Sequence, residues 1–275
     1  MKLDHETVDG AGPQVVVTVE SDQPRELVVW RTSPAGTVKV RGGRVHVDGT
    51  AIVRDYECPL GVELTYWAAD SQGSQADGPQ RITVDSPTAW IHDADSPGDA
   101  VAASGDLVPG TLLVEHGTLA SVSRPAGGTS VRVLGSRLPV RLGGGRQAPT
   151  DVELRLIAPT RTERDRLAAL IDSGALLCVR GMRDEDWELP EVCWLAAEAA
   201  SLSTVARYSD SPVWRAVLSG DLVRGPTRSI IVAAFSYDDM DEVADGRTYD
   251  RVDFEAGLKA MTYTDVDRDG RSIFA

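Results

Sequence analysis

The sequence predicts a mainly β protein with one helix in its second half and short helices near its C-terminal end. Three observations carry this prediction. β-branched residues recur in short alternating runs, turn residues separate these runs, and one segment has a helical repeat with a capping residue at its start. The 275 residues are 42% hydrophobic and 25% charged, which is ordinary for a globular chain with real cores. This length fits two domains or one large one.

Residues 1–85 have the pattern of a β-sandwich. Their apolar runs are separated by turn signals about every 8–12 residues, and no stretch has a convincing helical period. Gly42-Gly43 stands between two alternating runs, so we expect a hairpin turn there. We therefore predict an immunoglobulin-like or fibronectin-like sandwich. Its predicted strands cover residues 15–19, 27–30, 37–41, 44–47, 51–56, 63–69 and 80–84.

Residues 86–110 have a different composition. Pro and Gly interrupt this stretch at Ser96-Pro97-Gly98 and Val108-Pro109-Gly110, so we predict a linker anchored by Trp90-Ile91. Residues 111–235 then predict a second, β-rich domain with one helix. Its predicted strands cover residues 111–115, 130–134, 138–142, 152–157, 175–180, 191–197, 201–207 and 213–222.

The helix of the second domain is predicted over residues 161–173. Thr160 is suited to cap its N-terminus while Glu163 reaches back, as in a capping box. Leu167, Leu170 and Ile171 lie three and four residues apart and form one apolar face. Gly174 suits a left-handed C-terminal cap.

The last segment, 236–275, predicts a helical assembly arm. Three short units each begin with a hydroxyl residue and place Tyr and Met or Val on one helical face. Such short stripes cannot close a core alone, so we expect them to dock on a partner. The expected partner-contacting residues are Tyr237, Met240, Tyr249, Val252, Phe254, Leu258, Tyr263 and Val266.

Charge and cysteine content limit the possible classes of function. The formal net charge is −14, so we expect no sequence-specific binding to nucleic acid. The three cysteines have no metal-binding spacing, and we expect reduced thiols. The polar N-terminus does not look like a signal peptide, and no apolar run is long enough for membrane insertion. We expect the chain to fold in a cytoplasm.

No catalytic constellation is evident in the sequence, so we predict that the protein is not an enzyme. The nucleophile, metalloprotease, phosphate-loop and dinucleotide motifs are absent. His92 is followed directly by Asp93, and we expect this pair to be structural. Six tryptophans could form a sugar-binding platform, but we expect them to be core or interface aromatics.

Asp265, Asp267 and Asp269, followed by Gly270, match the opening of an EF-hand calcium loop. The glutamate required at the twelfth position is missing, because the chain ends at Ala275. We therefore expect no cofactor, with calcium at these three aspartates as the alternative.

Four segments in order resemble the minor tail proteins of long-tailed phages that infect actinobacteria. The first combines Val38–Gly43 with Asp55-Tyr56-Glu57-Cys58-Pro59-Leu60-Gly61 and Leu64-Thr65-Tyr66. The second is Trp90-Ile91-His92-Asp93. The third is the helix from Leu167 to Gly174 with the strand Leu176–Arg180, and the fourth is the C-terminal Thr-Tyr-x-x-Val series. This sequence departs from the family in having Cys58 and an Asp-rich third unit.

The resemblance implies a structural virion protein of the tail tip or baseplate, assembled in the bacterial host cytoplasm. It implies self-association in a symmetric ring, a hexamer or a trimer, and contacts with other phage tail proteins. A distal-tail-like role would pair a β-rich ring domain, residues 111–235, with the appended sandwich. Two other functions stay open: a carbohydrate-binding module that contacts the host envelope, and a tail-associated cell-wall hydrolase.

Overall fold

A computed structural model describes the chain in the ranges 1–8, 12–70, 73–116, 118, 123–132, 134, 137–143, 145–174, 176–182, 190–208 and 211–227. These residues are mainly β, as the sequence predicts. They contain a single α-helix, α1, at Arg161–Ser173. The strands are β1 Lys2–Val8, β2 Gly12–Ser33, β3 Gly36–Asp55, β4 Glu63–Ala69, β5 Gln75–Thr83, β6 Ala89–Asp93, β7 Val101–Ser104, β8 Leu112–Val114, β9 Thr129–Val131, β10 Val140–Leu142, β11 Val152–Ala158, β12 Leu176–Arg180, β13 Val192–Tyr208 and β14 Ser211–Val223.

Strands β1 to β5 form one five-stranded antiparallel sheet. The order is β1-β2-β4-β5, and β3 pairs with β2 along most of its length. The first half of β2 pairs with β1, whereas its second half pairs with β4. Because two register shifts interrupt the β2–β3 ladder, the long strands bend around a single core that includes Val17, Leu27 and Tyr66. The predicted arrangement of two packed sheets is therefore wrong for the described residues, which form one bent sheet.

Gly42-Gly43 lies inside β3 and does not form the predicted hairpin turn. The turn comes earlier, between Ser33 and Gly36. Lys39 pairs with Trp30, and Arg44 pairs with Val28, so residues 40–43 face the single residue Val29 across the ladder. This is a bulge, and Gly42 has the positive φ of 76° that a bulge can require. The glycine pair bends a continuous strand.

Seven strands close into a barrel in the order β11-β14-β13-β12-β6-β7-β8, with β8 pairing back to β11. All neighbouring pairs are antiparallel except β7 and β8. Strands β6 and β7 come from residues 89–104, so the prediction of a linker over residues 86–110 is wrong. Proline and glycine occur between these strands, and Trp90 and Ile91 belong to β6 itself.

The barrel core follows from strict alternation. In β11, residues Val152, Leu154, Leu156 and Ala158 are buried while the residues between them are partly exposed. This period of two points one face of the strand into the barrel. Leu167 and Leu170 of α1 join the same core, as their spacing predicts.

The predicted bounds of α1 and its N-terminal cap are confirmed. The Thr160 hydroxyl accepts a hydrogen bond from the Glu163 backbone N–H. The prediction for Gly174 is wrong, since its backbone is extended and not left-handed. A Cβ at this position would lie 2.1 Å from Asp93 Oδ1. Glycine is required there because the chain passes close to the Asp93 carboxylate.

Residues 123–150 form an arm between β8 and β11, which we call the basic arm. Strands β9 and β10 pair antiparallel within it, and two isolated bridges, Ser123–Thr150 and Ala126–Arg146, extend the pairing towards the barrel. Gly143 lies against Gly127 and Gly128 across this hairpin.

The predicted helical arm at 236–275 lies outside the described residues. The same holds for the eight expected partner-contacting residues and for Asp265, Asp267 and Asp269.

Candidate functional site

Three sequence segments meet where the five-stranded sheet joins the barrel. The segment that ends β3 contributes Asp55, Glu57 and Cys58, β6 contributes His92, and β12 contributes Arg180. All of these side chains are buried or half-buried. We call this cluster the junction. It concentrates buried charge in a part of the molecule where apolar packing would otherwise be expected.

Asp55 is the hub on the sheet side of the junction. Its carboxylate accepts hydrogen bonds from Arg31 Nη1 at 2.6 Å and from Tyr66 Oη at 2.8 Å. It also accepts one from the Glu57 backbone N–H at 3.0 Å. Burial raises the pKa of the Tyr66 phenol, so this group stays protonated and continues to donate. Arg31 and Asp55 thus form a buried ion pair through Arg31 Nη1, while Arg31 Nε has no hydrogen-bond partner among the described residues.

Arg180 connects the barrel to the sheet. It is fully buried, and its Nη1 donates to Pro13 O at 3.0 Å and Cys58 O at 3.2 Å. Pro13 begins β2, and Cys58 follows β3, so a single guanidinium holds two separated parts of the sheet against β12. A buried charged donor contributes more to stability than a neutral one.

Arg41 makes a second connection across the junction. It pairs with Glu57, and its Nη2 donates to Ala94 O at 2.6 Å, just beyond β6. Its guanidinium also lies 5.3 Å from the centre of the Trp194 ring, a cation–π distance. Burial raises the pKa of the Glu57 carboxyl, and the charge of Arg41 opposes this effect.

His92 lies at the centre of the junction and is fully buried. Its Nδ1 is 2.9 Å from the Asp93 backbone oxygen. The Asp93 carboxylate accepts a hydrogen bond from the Asp95 backbone N–H, so the contact of the imidazole Nδ1 is with the Asp93 backbone and not with its carboxylate. Burial, together with the positive charge of Arg180, lowers the pKa of His92 to about 3. His92 is therefore neutral at pH 7 and acts as a packing element against Trp194, which it meets edge-on at 6.2 Å.

A cleft of about 550 Å³ opens beside the junction. The start of β3 forms one wall, and the start of β13 with the chain after β14 forms the other. Trp30 and Trp194 contribute aromatic area, while Lys39 and Arg224 are exposed cations on its lining. A polar, partly aromatic cleft of this size can accept an extended peptide or a few sugar units.

The aromatic rings near the cleft are already engaged within the protein. Trp30 stacks on Trp67 with ring centres 5.6 Å apart, and Arg41 covers a face of Trp194. Trp90 packs against Gly12, where a Cβ would lie 2.6 Å from its ring. The five described tryptophans are all buried or half-buried, so they form no exposed row of the kind that binds sugar. Trp187 lies outside the described residues.

The three cysteines are free and buried, as the sequence predicts. Burial raises the pKa of Cys58 to about 11 and that of Cys193 to about 12, so both are thiols at neutral pH. Within the described ranges, there is no cluster of three or more His, Cys, Asp or Glu side chains that could bind a metal ion. In the same ranges, no helix has the length and apolar character needed to span a membrane.

Asp55, His92, Arg41 and Arg180 all lie in segments that carry the family resemblance, but sequence reasoning did not bring them together in one buried cluster. One signal was present, since Leu27, Val29 and Arg31 occupy alternating inward positions of one strand. A charged residue on the buried face of a strand requires a buried partner. The identity of that partner, Asp55, depends on the register of β2 and β3 and so could not be read from spacing.

Comparison with known proteins gave no assignment: no protein-family model matches the chain, and no curated protein matches it significantly.

Proposed function

We propose that this chain is a structural protein of a long-tailed bacteriophage, a minor tail protein of the tail tip or baseplate that assembles with copies of itself in a ring. One observation carries the proposal. Of the four segments that resemble minor tail proteins of actinobacteriophages, three supply the junction between sheet and barrel. Asp55 and Glu57 come from the first, His92 from the second and Arg180 from the third. The resemblance therefore falls on residues that fix the architecture.

A junction of this kind suits a structural role. Buried ion pairs add little net stability, but they disfavour alternative packings because an unpaired buried charge is costly. Arg41 and Arg180 find their acceptors across the junction, so both depend on one arrangement of the sheet and the barrel, whereas Arg31 is paired within the sheet. A ring component needs one fixed arrangement of its sheet and barrel, because a small change in the angle between them would be repeated around the ring.

The acidic surface also fits a tail component. The chain carries a net charge of −14, so DNA that passes along a tail would be repelled and not retained. An acidic surface therefore supports a position in the tail past which DNA moves.

Carbohydrate binding is the second candidate, and the cleft is the observation that favours it. Trp30 and the exposed cations Lys39 and Arg224 lie on its lining. Such a module would contact glycans of the host envelope. Binding of cell-wall polysaccharide that is lost in Trp30→Ala, with the fold intact, would support this candidate.

Electron microscopy tests the main proposal in two ways. Gold-labelled antibodies against the purified protein should label one end of the tail on particles of the phage that encodes it. Images of the isolated full chain should contain closed rings with threefold or sixfold symmetry. Label on the capsid, or none on intact or opened particles, would overturn the proposal. Hydrolysis of peptidoglycan by the pure protein, abolished in His92→Ala, would favour the tail-associated hydrolase instead.

A further inference from the structure

The basic arm, residues 123–150, projects from the barrel without being covered by it. Every described side chain from 128 to 148 is exposed. Within the described residues, β9 and β10 pair only with each other. A two-stranded hairpin is marginally stable by itself in water, and the described side chains of both strands stay exposed. Its exposed state therefore calls for a partner surface.

One face of the hairpin is apolar. Val131 pairs with Val140, and Leu142 pairs with Thr129, so these residues share a face because side chains alternate along a strand. The valines and the leucine are 42–61% exposed. Leu134 and Leu138 in the connecting loop are more exposed still. A cluster of large apolar side chains at the end of an arm is unusual for a protein surface and marks a contact site.

The charge of the arm is opposite to that of the remaining chain. Residues 123–150 contain no Asp, Glu or Lys and carry five arginines, Arg124, Arg132, Arg137, Arg141 and Arg146. The arm thus has a charge of +5, which leaves −19 on the rest of a chain whose total is −14. An apolar face bordered by positive charge fits a surface that is acidic and partly apolar. The body of this protein is a surface of that charge.

We propose that the basic arm of one copy docks on the acidic body of the next copy. This inference rests on the proposed function and names the element that would build the ring. The contact joins two different surfaces, so it is head-to-tail, and a head-to-tail contact closes into a ring when its rotation allows. Opposite charges steer the arm to the body, and the apolar face supplies the buried area.

Nucleic acid and membranes are weaker partners for the same arm. A polyanion would meet the arginines but would also be repelled by the body, residues 1–122 and 151–229, whose net charge is −13. The arm also offers no aromatic side chain for base stacking. An anionic membrane would be repelled in the same way. A second copy satisfies both the apolar and the charged features.

Sedimentation velocity of the full chain at low and high salt tests the proposal. Two double variants disrupt the arm, Leu134→Ser with Leu138→Ser and Arg132→Glu with Arg137→Glu. Each should raise the concentration for half-association by at least about tenfold, since two buried leucines or two paired charges are lost. The leucine variant should keep the salt dependence of the wild type, and the arginine variant should lose most of it.

Leu107→Ser and Arg44→Glu are matched controls, because both residues are exposed but lie outside the arm. These variants should associate like the wild type, and all variants should keep the wild-type melting temperature. Association that is unchanged in both arm variants would overturn the inference and leave the tail location of the protein untouched. A wild-type chain that stays monomeric would also overturn the inference. If such a monomer binds duplex DNA or phosphatidylglycerol vesicles and the arm variants lose that binding, the arm serves that partner and not a second copy. Antibody labelling of particles decides the proposed function separately.

Discussion

At the scale of single residues, the junction contains buried charges whose contribution to stability depends on their partners. Asp55 is 2% exposed and accepts three hydrogen bonds, so its carboxylate is compensated only while Arg31 and Tyr66 stay in place. Exposed pairs elsewhere in the sheet, such as Arg81 with Glu63, have water as an alternative partner. An arginine–carboxylate pair should therefore contribute very differently to stability at the buried position and at the exposed one.

Replacing Asp55 should be strongly destabilising. Asp55→Ala leaves the buried Arg31 charge without its partner, which costs about 3–5 kcal/mol of unfolding free energy. Removing the charge as well, in Arg31→Met with Asp55→Ala, should recover part of this loss. Glu63→Ala, which breaks the exposed pair, should change stability by less than about 1 kcal/mol. Urea denaturation of the wild type, these three variants and the Arg31→Met single variant checks these values. Additive effects of Arg31→Met and Asp55→Ala would contradict a coupled pair.

His92 should make the folded state sensitive to mild acid. Its pKa is about 3 when folded, below the usual value of about 6.5 that it regains on unfolding. The unfolded state therefore takes up a proton first as the pH falls through about 6.5, and the folded state loses stability until about pH 3. The expected loss between pH 7.5 and 5 is about 2 kcal/mol.

His92→Asn provides the comparison for this pH dependence. Its side-chain amide can still donate to the Asp93 backbone oxygen, but it does not titrate. Denaturant unfolding at a series of pH values should show the His92 contribution as the difference between wild type and variant. His46→Asn, at an exposed position, should leave the pH dependence unchanged. Parallel curves for wild type and His92→Asn would rule out His92 as the source.

At the scale of elements, local periodicity predicted the strands and the helix, but not how strands continue or pair. The alternation of β11 and the capped helix α1 could be read directly, because both patterns are local. Glycine and proline were less informative. Gly42-Gly43 produces a bulge within a strand and not its end, since the partner strand β2 continues past it. The proline and glycine around Pro97 predict a linker. The strands on either side, β6 and β7, are only five and four residues long, too short for a clear alternating pattern.

Insertions should distinguish the barrel strand β6 from the true loop that follows it. A Gly-Ser-Gly insertion after Gly98, an exposed position between β6 and β7, should leave the melting temperature nearly unchanged. The same insertion after Ile91 shifts His92 and Asp93 by an odd number of residues. Their side chains then move to the opposite faces of the sheet, and pairing with β12 is lost.

Circular dichroism and the soluble fraction on expression measure the outcome of the two insertions. The protein with the insertion after Ile91 should be largely insoluble or unfolded. Normal folding of this variant would mean that residues 89–93 are dispensable for the barrel, as a linker would be.

At the scale of the whole molecule, the sequence predicted the overall β character but not which strands pair to close the barrel. The barrel closes only because β6, β7 and β8 are recruited from residues next to the first sheet, a long-range pairing without a local signal. The junction was beyond sequence reasoning for the same reason. Arg180 lies 122 residues from Cys58, and their hydrogen bond depends on the positions of both units. The basic arm, by contrast, is visible in the sequence itself as a stretch without acidic residues.

Removing the segment after Ser229 should leave the body folded. The first compact unit of the chain ends at Ser229, and both large apolar cores consist of residues no later than Leu222. Truncation therefore removes none of the side chains of these two cores and leaves every described hydrogen bond of the junction in place. We expect the melting temperature measured by calorimetry to change by no more than about 2 °C, which corresponds to at most about 1 kcal/mol for a domain of this size.

The same truncation should separate two kinds of assembly. The basic arm at 123–150 is retained, so the truncated protein should still associate with itself. The sequence-predicted helical arm at 236–275 is lost, so the truncated protein should fail to enter tails when it replaces the full chain during infection. If the truncated protein unfolds, residues 230–275 are needed for the stability of the body. One that enters tails normally would refute their predicted role as an assembly arm, because contacts within the body would then suffice.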